Sequence, residues 1–393
     1  MTSRILHISG DYPDPIEPFK TPVIKSFLDL TEDDFDHRVV SINRRTPSPS
    51  ALFEGFAPRS DRKGPVHRVQ TFERGVALEY LAPPSGIFHR TMLERLGEYL
   101  AELIRSQSEP PHLLVGHKLT IEGIAVAKAS ALTGIPYALT IQGNTDRRIL
   151  KARPDLGKNF RTIYQNAQMV CTFTPIARGA IEAMLGKRKD GIHLIPCPTE
   201  LDQIIEPHIT GGDIISVFHL KNHKVKNLDG LASAARLLAR DAGKRSIAIL
   251  GGGSEAELAK CKTIAADASQ IRFDGPVDRD AMQKRMNGAC ALVVPSRAES
   301  FGLVFVEALF AGLPIIYPKG TAIDGYFDAL PFAQGVDAGS PEAIAEAMQR
   351  AVDEEESMKR ALHDWQKSGA LEQFTRRAIA QNYSAALSAA VPG

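Results

Sequence analysis

The feature that most constrains the fold is a regular alternation, in which short apolar runs are separated by segments of helical length along nearly the whole chain. Such continuous apolar runs are typical of parallel strands that helices cover on both faces. In the first half we predict strands at Arg4–Ser9, His37–Ile42, Leu113–Gly116, Tyr137–Ile141, Met169–Phe173 and Ile192–Pro196. The predicted helices between them are Pro22–Leu30, Thr91–Gln107, Ile121–Thr133, Asn159–Ala167 and Pro175–Leu185. The stretch from Asn43 to Pro84 is rich in Pro, Gly and Arg, which predicts mostly surface loops.

A second set of alternating elements begins after Pro207. Its predicted strands are Ile214–His219, Ser246–Leu250, Ile271–Asp274, Ala291–Pro295 and Pro314–Tyr317. Its predicted helices are Leu228–Asp241, Glu255–Ser269, Arg279–Asn287, Gly302–Ala311 and Pro341–Glu356. Because 393 residues exceed what one hydrophobic core usually supports, we predict an α/β protein of two doubly wound domains, residues 1–205 and 206–370. Such sheets bind ligands at the carboxyl ends of their strands, so the expected site is a cleft between the domains.

Composition excludes several classes of function. A net charge of +1 gives no reason to expect nucleic acid as a partner. The four cysteines form no CxxC pair, which predicts reduced cysteines of a cytoplasmic protein rather than a zinc site or a disulfide framework. The apolar run at the N-terminus is too short for a signal peptide, and no run approaches the roughly 20 apolar residues of a membrane span. We therefore expect a soluble cytoplasmic protein that at most lies on a membrane surface.

The most informative segment is ALVVPSRAESFGLVFVEALFAGLPIIYPKG, which begins at Ala291. It predicts a buried strand, a short polar connection and a helix over Gly302–Ala311, which Gly312 caps and Pro314 ends. Free backbone N–H groups and the positive end of the helix dipole make the entrance at Gly302 suited to an anion. A nucleotide diphosphate is the natural occupant of such an entrance.

Two carboxylates belong to this segment. Glu307 lies about one and a half turns into the helix, where it can accept two hydrogen bonds from a vicinal diol. Glu299 lies in the loop before the helix and would face further hydroxyls. The alternative is that both are ordinary charges of a solvated helix. We favour the functional interpretation because the neighbours of Glu307 are apolar, and a buried carboxylate needs partners.

The spacing Glu299-x7-Glu307, within PSRAESFGLVFVEALFAGLPII, resembles the signature of family 4 of the retaining glycosyltransferases. The resemblance implies the GT-B fold, two Rossmann-like domains facing across a cleft, with a C-terminal helix (residues 371–393) that packs back on the first domain. It implies that Glu307 holds the donor ribose and that Glu299 contacts the donor sugar. The residues implied to surround the phosphates at the helix entrance are Ser300, Phe301, Gly302 and Leu303.

The same resemblance extends to three supporting segments of the second domain. In IISVFHLKNHKVKNLDGL, Lys226 falls on a family lysine and Lys221 on a family arginine. Two cations beside a leaving diphosphate would stabilise its developing charge, although a solvated basic loop is the alternative. The glycine-rich turn Gly251–Gly253, with Gly252 and Gly253 as donor-binding residues, is implied to approach the nucleotide. The turn at Gly275–Val277, with Pro276 and Val277, is implied to contact the nucleobase.

The glycine-rich turn also matches G-x-G-x-x-A, with Asp274 about 20 residues further on, which would suit a dinucleotide-dependent oxidoreductase. We disfavour this alternative because the fingerprint should follow the first strand of a domain, and here it follows the second. Contacts through backbone groups leave little trace in sequence. Uridine, guanosine and adenosine donors are therefore not separable by sequence. A UDP- or GDP-sugar is the expected co-substrate, and no other cofactor is expected.

In the first domain, LLVGHKLTIEGIAVAKASALTGIPYALTIQGNTD resembles a family block in which His117 approaches the donor sugar. A structural histidine at a strand end is the alternative for His117. Gln142 replaces a second family histidine, so it can form hydrogen bonds but cannot act as an acid or base. The first loop, SGDYPDPIEPFKTPVIKSF, places Gly10, Lys20 and Thr21 near the phosphates or the acceptor in this interpretation.

The resemblance implies sugar transfer with retention of configuration, and no carboxylate stands out as a covalent nucleophile. We expect front-face attack without a catalytic metal, on a glycan or lipid-linked acceptor of polysaccharide or glycolipid biosynthesis. An epimerase or hydrolase of the same fold, and a non-enzymatic sugar-binding protein, are the alternatives. A basic stretch that could contact anionic lipid, if it is more than a solvated loop, comprises Arg44, Arg45, Arg59, Arg62, Lys63, Arg68 and Arg74.

Overall fold

The computed structural model describes residues 2–46, 66–82, 88–209, 211–241 and 245–392. The chain forms two compact units. The first comprises Met1–Phe173, Ala177–Pro198 and Ile379–Gly393, and the second comprises Thr174–Ile176 and Thr199–Ala378. Each unit contains a largely parallel sheet with helices in its connections. The predicted α/β class with two Rossmann-like units is confirmed.

Within the described residues, the first unit has an eight-stranded sheet in the order β3-β4-β2-β1-β5-β6-β7-β8. Its strands are β1 (Ser3–Ser9), β2 (Phe35–Arg45), β3 (Val66–Phe72), β4 (Gly75–Leu81), β5 (Leu113–Gly116), β6 (Tyr137–Ile141), β7 (Val170–Thr172) and β8 (Ile192–Leu194). Its helices are α1 (Val23–Asp29), α2 (His89–Arg105), α3 (Glu122–Thr133), α4 (Asn144–Ala152), α5 (Gly157–Asn166) and α6 (Pro175–Leu185). Strands β1, β5 and β6 are buried over most of their length, which is why they read as continuous apolar runs.

The prediction of mostly surface loops from Asn43 to Pro84 was wrong for residues 43–45, which end β2, and for residues 66–81, which form the antiparallel hairpin β3–β4. Residues 47–65, 83 and 84 of that stretch lie outside the described residues. Strand β3 is at the edge of the sheet and carries mostly exposed polar side chains, so it lacks the apolar run of a central strand. Gly75 begins β4 where a β-carbon would stand 2.0 Å from the carbonyl oxygen of Val39. Glycine is therefore required for β4 to pair with β2.

In the described part of the second unit, a six-stranded parallel sheet has the order β11-β10-β9-β12-β13-β14, the order typical of dinucleotide-binding folds. Its strands are β9 (Ile214–Val217), β10 (Ile247–Leu250), β11 (Ile271–Gly275), β12 (Ala291–Val293), β13 (Ile315–Pro318) and β14 (Ala333–Val336). Its helices are α7 (Leu228–Asp241), α8 (Glu255–Ile264), α9 (Arg279–Asn287), α10 (Leu303–Phe310), α11 (Pro341–Asp353) and α12 (Glu355–Lys367). Strand order reverses between β9 and β12, so the loops after these two strands diverge at a topological switch point.

The last helix, α13 (Arg376–Ala390), lies mostly in the first unit, to which Ile379–Gly393 belong. Its Tyr383 is fully buried, and the ring centroid lies 4.8 Å from that of Phe27 on α1. The Phe27 ring also stacks on Phe173 at 5.4 Å. This aromatic cluster fixes α1 against the rest of its unit.

Candidate active site

At the switch point of the second unit, a side chain from the segment after β9 reaches one from the loop after β12. Lys226, beyond β9, donates a hydrogen bond through Nζ to Oε2 of Glu299, beyond β12, and the two side chains are 17% and 19% exposed. The backbone of Glu299 is held by Thr321, whose hydroxyl accepts from the Glu299 N–H at 3.0 Å and donates to the Glu299 carbonyl at 2.6 Å. The structure thus brings together two of the residues predicted from sequence, as a mostly buried ion pair.

Helix α10 begins directly after this loop. Gly302 precedes it with φ 85° and ψ 59°, and a β-carbon there would stand 2.7 Å from the ring of Phe305. A left-handed residue packed this closely has to be glycine. Among the described residues, no side chain caps the N-terminus of α10. Ser300, Phe301 and Leu303 flank Gly302, so the predicted phosphate-binding residues surround a helix entrance with open donor capacity.

Glu307 lies on α10 and is half-buried among apolar residues. Burial raises the pKa of its carboxyl group, against the opposing effect of a hydrogen bond from Thr199. The Thr199 hydroxyl donates to Oε1 of Glu307 at 2.7 Å. Sequence reasoning missed Thr199, because 108 positions separate it from its partner and no spacing pattern joins them.

The glycine-rich turn follows β10 and packs against the segment that follows β9. A β-carbon on Gly251 would stand 1.8 Å from the Phe218 carbonyl oxygen, and one on Gly253 would stand 2.8 Å from the β-carbon of Leu220. The Leu220 N–H donates to the Gly252 carbonyl at 2.9 Å. Close approach of the two backbones is therefore the reason for glycine here.

The turn predicted to contact the nucleobase follows β11 and lies next to the glycine-rich turn. A β-carbon on Gly252 would lie 3.8 Å from Cβ of Pro276, which Val277 follows. Lys221 is exposed, and its N–H donates to Nδ1 of His219 at 3.2 Å. The carboxyl ends of β9, β10 and β11 thus gather Lys221, the glycine-rich turn and the Pro276 turn.

The structure disfavours a dinucleotide site of the oxidoreductase type. The glycine-rich turn follows β10, the second strand of its unit, as the sequence indicated. Asp274, which would have to bind a ribose, accepts from Nε of Arg272 at 2.8 Å. Its pKa is lowered chiefly by that hydrogen bond, so the carboxylate is engaged with arginine at the surface.

In the first unit, His117 follows β5 and is 1% exposed. The backbone N–H of His117 donates to the Ile8 carbonyl at 3.1 Å, and the backbone carbonyl of His117 accepts from Nε2 of Gln142 at 2.9 Å. The structure therefore joins the Gln142 side chain to the backbone of His117. Burial lowers the pKa of His117 to about 3, so the ring is neutral at physiological pH.

His117 also contacts a histidine that sequence reasoning missed. Its Nε2 lies 3.0 Å from Nδ1 of His7, and Nε2 of His7 lies 2.9 Å from Nδ1 of His37. Both missed residues are buried, on β1 and β2. A histidine inside a predicted buried strand needs a hydrogen-bond partner, and that requirement was the available signal.

The first loop is ordered by carboxylates. The Gly10 N–H donates to Oε1 of Glu122 at 2.7 Å, so this N–H already has an acceptor inside the protein. Burial raises the pKa of Glu122 to about 7. Lys20, another predicted residue of this loop, donates through Nζ to Oδ2 of Asp14 at 2.7 Å. Thr21 is exposed.

Asp14 is the centre of that loop and was not predicted. Its side chain is fully buried and also accepts from Ser41 at 2.5 Å and Asn43 at 3.0 Å. Burial alone would raise its pKa, but the hydrogen bonds from Lys20, Ser41 and Asn43 outweigh burial and lower the pKa to about 2. The position of Asp14 between Pro13 and Pro15 was the signal that could have marked it.

The basic stretch is partly neutralised where the structure describes it. Arg45 pairs with Glu79 at 2.9 Å, and Arg74 pairs with Asp29 at 2.8 Å. Arg59, Arg62 and Lys63 lie outside the described residues. Within the described ranges, no helix is long and apolar enough to cross a membrane. Over the same ranges, no group of three or more His, Cys, Asp or Glu side chains is arranged to hold a metal ion.

The two Rossmann-like units agree with the GT-B fold that the sequence predicts. The model of the glycosyl transferases group 1 matches residues 203–367, and that of the glycosyl transferase 4-like domain matches residues 30–198. The chain belongs to this family of glycosyltransferases, as the resemblance in the Glu299–Glu307 segment predicted.

Curated relatives carry one recurring name. The chain is 26% identical to the D-inositol 3-phosphate glycosyltransferase of Nocardiopsis dassonvillei over 316 residues, which cover 71% of this chain and 72% of that protein. It is 34% identical to the enzyme of that name from Streptomyces griseus over 142 residues, covering 33% of this chain and only 29% of the relative's length.

Solved structures show the same fold at low identity. The sucrose-phosphate synthase from Thermosynechococcus elongatus has a TM-score of 0.66 at 16% identity, with 98% of each chain covered. The lipopolysaccharide outer core galactosyltransferase WaaB, in its apo form, has a TM-score of 0.67 at 15% identity, covering 98% of this chain and 99% of that one. These similarities confirm the predicted GT-B fold.

Proposed function

We propose that the chain transfers a sugar, with retention of anomeric configuration and without a catalytic metal, from a UDP- or GDP-sugar to an acceptor hydroxyl. The observation that carries the proposal is the ion pair of Lys226 and Glu299 at the switch point of the second unit. It stands directly before the uncapped N-terminus of α10, on which Glu307 lies. Cation, open helix N-terminus and carboxylates are the groups that a nucleotide diphosphate-sugar requires.

Each group has a distinct role in this proposal. The diphosphate binds the N–H groups at the Gly302 entrance, and Lys226 shares its charge between Glu299 and the phosphates. Lys221 supplies a second, exposed cation. Glu307 accepts hydrogen bonds from the ribose diol, with Thr199 keeping its Oε1 in place. The glycine-rich turn and the Pro276–Val277 turn contact the nucleoside through backbone groups.

In the proposed reaction, the bond between the anomeric carbon and the diphosphate oxygen breaks while the acceptor oxygen bonds to the same face of that carbon. The acceptor proton passes to the departing phosphate oxygen. Lys226 and the dipole of α10 stabilise the negative charge on the diphosphate. No group of the protein has to form a covalent bond to the sugar.

For the acceptor we retain a glycan or lipid-linked hydroxyl, and we add a second class. The curated relatives are named D-inositol 3-phosphate glycosyltransferases. A phosphorylated polyol is therefore the second candidate for this chain. An acceptor panel that contains both classes separates them, and sugar release without any acceptor would indicate a hydrolase.

A thermal-shift panel of UDP, GDP, ADP, their sugars and the free nucleosides tests the donor site. We expect one nucleotide series to raise the melting temperature, since a ligand at 100 times its Kd stabilises by about 2.7 kcal/mol. Lys226→Met should lose the shift with the diphosphate and keep that with the nucleoside. Glu307→Gln should lose both, because the ribose contact is common to them.

Two exposed residues of the same unit provide matched controls. Lys284→Met and Glu346→Gln remove a charge from α9 and α11 and should keep every shift. The proposal fails if no nucleotide stabilises the wild-type protein. It also fails if Glu307→Gln and Lys226→Met respond to all ligands as these controls do.

A further inference from the structure

The first unit contains a continuous hydrogen-bonded chain of three buried imidazole rings. It runs from His117 to His7 at 3.0 Å and from His7 to His37 at 2.9 Å. Nε2 of His37 lies 2.9 Å from the Thr31 hydroxyl, which lies 3.0 Å from the carbonyl oxygen of Phe27. The rings are between 0% and 7% exposed. Buried groups linked in this way adopt a defined proton order.

The far end of the chain sets that order. A carbonyl oxygen only accepts, so the Thr31 hydroxyl donates its single proton to Phe27 and must accept from Nε2 of His37. Nδ1 of His37 then accepts from Nε2 of His7. By the same rule, Nδ1 of His7 accepts from Nε2 of His117. Each neutral ring carries one proton, so Nδ1 of His117 is left as a bare lone pair.

The reverse order is disfavoured at both ends. It would leave an N–H on Nδ1 of His117, an atom that is buried and has no partner among the described residues. A buried donor without an acceptor loses its hydration without compensation. It would also turn the Thr31 hydroxyl away from the Phe27 carbonyl. Burial lowers the pKa of all three rings, so no extra proton disturbs the order.

The anchor of the chain is well packed. Phe27 lies on α1, and its ring packs between those of Phe173 and Tyr383. The Thr31 N–H is also bound, to the Leu28 carbonyl at 3.2 Å. The hydroxyl that sets the proton order therefore lies just beyond a well-packed helix, which ends at Asp29.

We propose that His7, His37 and Thr31 are positioning residues that fix His117 in the Nε2–H tautomer, so that its Nδ1 accepts a hydrogen bond from a ligand hydroxyl. The proposal rests on the sugar-transferring function proposed above. A lone pair at this position selects a neutral hydroxyl of a sugar, and it offers nothing to a phosphate or carboxylate, which only accept. His117 accordingly acts as an acceptor in recognition, not as a proton donor.

The direct test reads the His117 tautomer in the full-length protein labelled with ¹⁵N-histidine. Two-bond ¹H–¹⁵N correlations show which ring nitrogen carries the proton, and loss of signals in His117→Gln assigns them. We expect an unprotonated Nδ1 in the wild type. Thr31→Val removes the hydroxyl that accepts from Nε2 of His37, so the His37 N–H loses its 2.9 Å partner and a mixture with Nδ1–H on His117 should appear. Thr31→Ser should restore the wild-type pattern.

Thr133→Val is a matched control, because the Thr133 hydroxyl also donates to the carbonyl four residues earlier, at 2.9 Å, without a histidine beside it. It should leave the His117 tautomer unchanged. A proton on Nδ1 of His117 in the wild type would overturn the proposal. So would a Thr31→Val spectrum identical to that of the wild type.

A second measurement separates this proposal from the proposed function. Thr31→Val should raise the KM for the nucleotide-sugar, and Thr31→Ser should not. Affinity for the free nucleotide should be unchanged in both, since neither Thr31 nor His117 is among the proposed nucleotide contacts. If no nucleotide binds the wild type, the proposed function fails while the tautomer result stands. If nucleotide binds and the His117 tautomer is the same in Thr31→Val as in the wild type, only the proposal that His7, His37 and Thr31 position His117 fails.

Discussion

Lys226 and Glu299 are 73 residues apart in the chain, and the ion pair between them is the central residue-scale feature of the candidate donor site. The pair is mostly shielded from water, so loss of either partner would leave a charge with little solvation. In the proposed function, a diphosphate would offer Lys226 a second anion while Glu299 remains in place. The ion pair itself balances the two charges in the structure.

Gly302 carries the sharpest residue-scale prediction. Gly302→Ala places a β-carbon against the Phe305 ring at a left-handed φ, so we expect a loss of roughly 1–3 kcal/mol in the free energy of unfolding. The distortion falls on the N-terminus of α10, so nucleotide affinity should fall as well. Urea denaturation and nucleotide titration measure the two effects.

Gly134→Ala is the control for backbone strain alone. Gly134 caps α3 with φ 78°, and a β-carbon there would have no neighbour within 4 Å. This variant should lose less stability and keep full nucleotide affinity. Equal losses in the two variants, with nucleotide affinity intact, would show that the Gly302 turn is not part of the donor site.

At the scale of elements, strand order explains which side chains meet. β9 and β12 are neighbours although β10 and β11 separate them in sequence, and their following loops carry Lys226 and Glu299. In the first unit β1 lies between β2 and β5, which brings His7 between His37 and His117. Sequence spacing marks single residues such as Glu307, but it does not show which strands become neighbours.

The buried histidines on and beside these strands predict a pH dependence of stability. Burial lowers the pKa of His37 to about 4, whereas an unfolded histidine titrates near 6.5. Between about pH 6.5 and pH 4, the unfolded chain binds a proton at this histidine that the folded protein does not bind. Stability is therefore full above about pH 6.5 and falls as pH falls towards 4. His37→Gln should reduce the slope of unfolding free energy against pH by up to about 1.4 kcal/mol per pH unit.

Glu122 should change the free energy of unfolding with pH in the direction opposite to His37. Its pKa is raised to about 7 by burial, so its contribution to stability grows as pH falls from 7 towards the unfolded value of about 4.3. Glu122→Gln should therefore steepen the loss of stability on acidification, while His37→Gln makes it shallower. Denaturation midpoints between pH 7 and 4 measure both. Parallel profiles for the two variants and the wild type would contradict the assignment of these buried groups.

At the scale of the whole molecule, the alternation of apolar runs was sufficient to predict two α/β units, because central parallel strands are buried on both faces. It failed for β3, an edge strand whose exposed face is polar. It also missed α4, a short helix whose apolar face is interrupted by the buried Asp146. The apolar run of β4 was missed as well, although four of its residues are buried, because it lies within a stretch rich in Pro, Gly and Arg.

The candidate site was predictable to a different extent in each unit. Glu299 and Glu307 could be named from one segment, since their spacing is a property of a single strand–helix unit. Their partners, Lys226 and Thr199, come from distant parts of the chain. The loop around Asp14 and the chain of three histidines depend on tertiary packing, so polar residues within buried runs were the only indication of them in the sequence.

Sugar transfer itself is the most direct test of the proposed function. The full-length protein is incubated with each UDP- and GDP-sugar and a panel of glycan, lipid-linked and phosphorylated polyol acceptors, and NMR determines the anomeric configuration of the product. We predict that one donor is consumed only when an acceptor is present, and that the product keeps the configuration of the donor. Inversion, equal consumption without acceptor, or no consumption of any donor would contradict the proposed function.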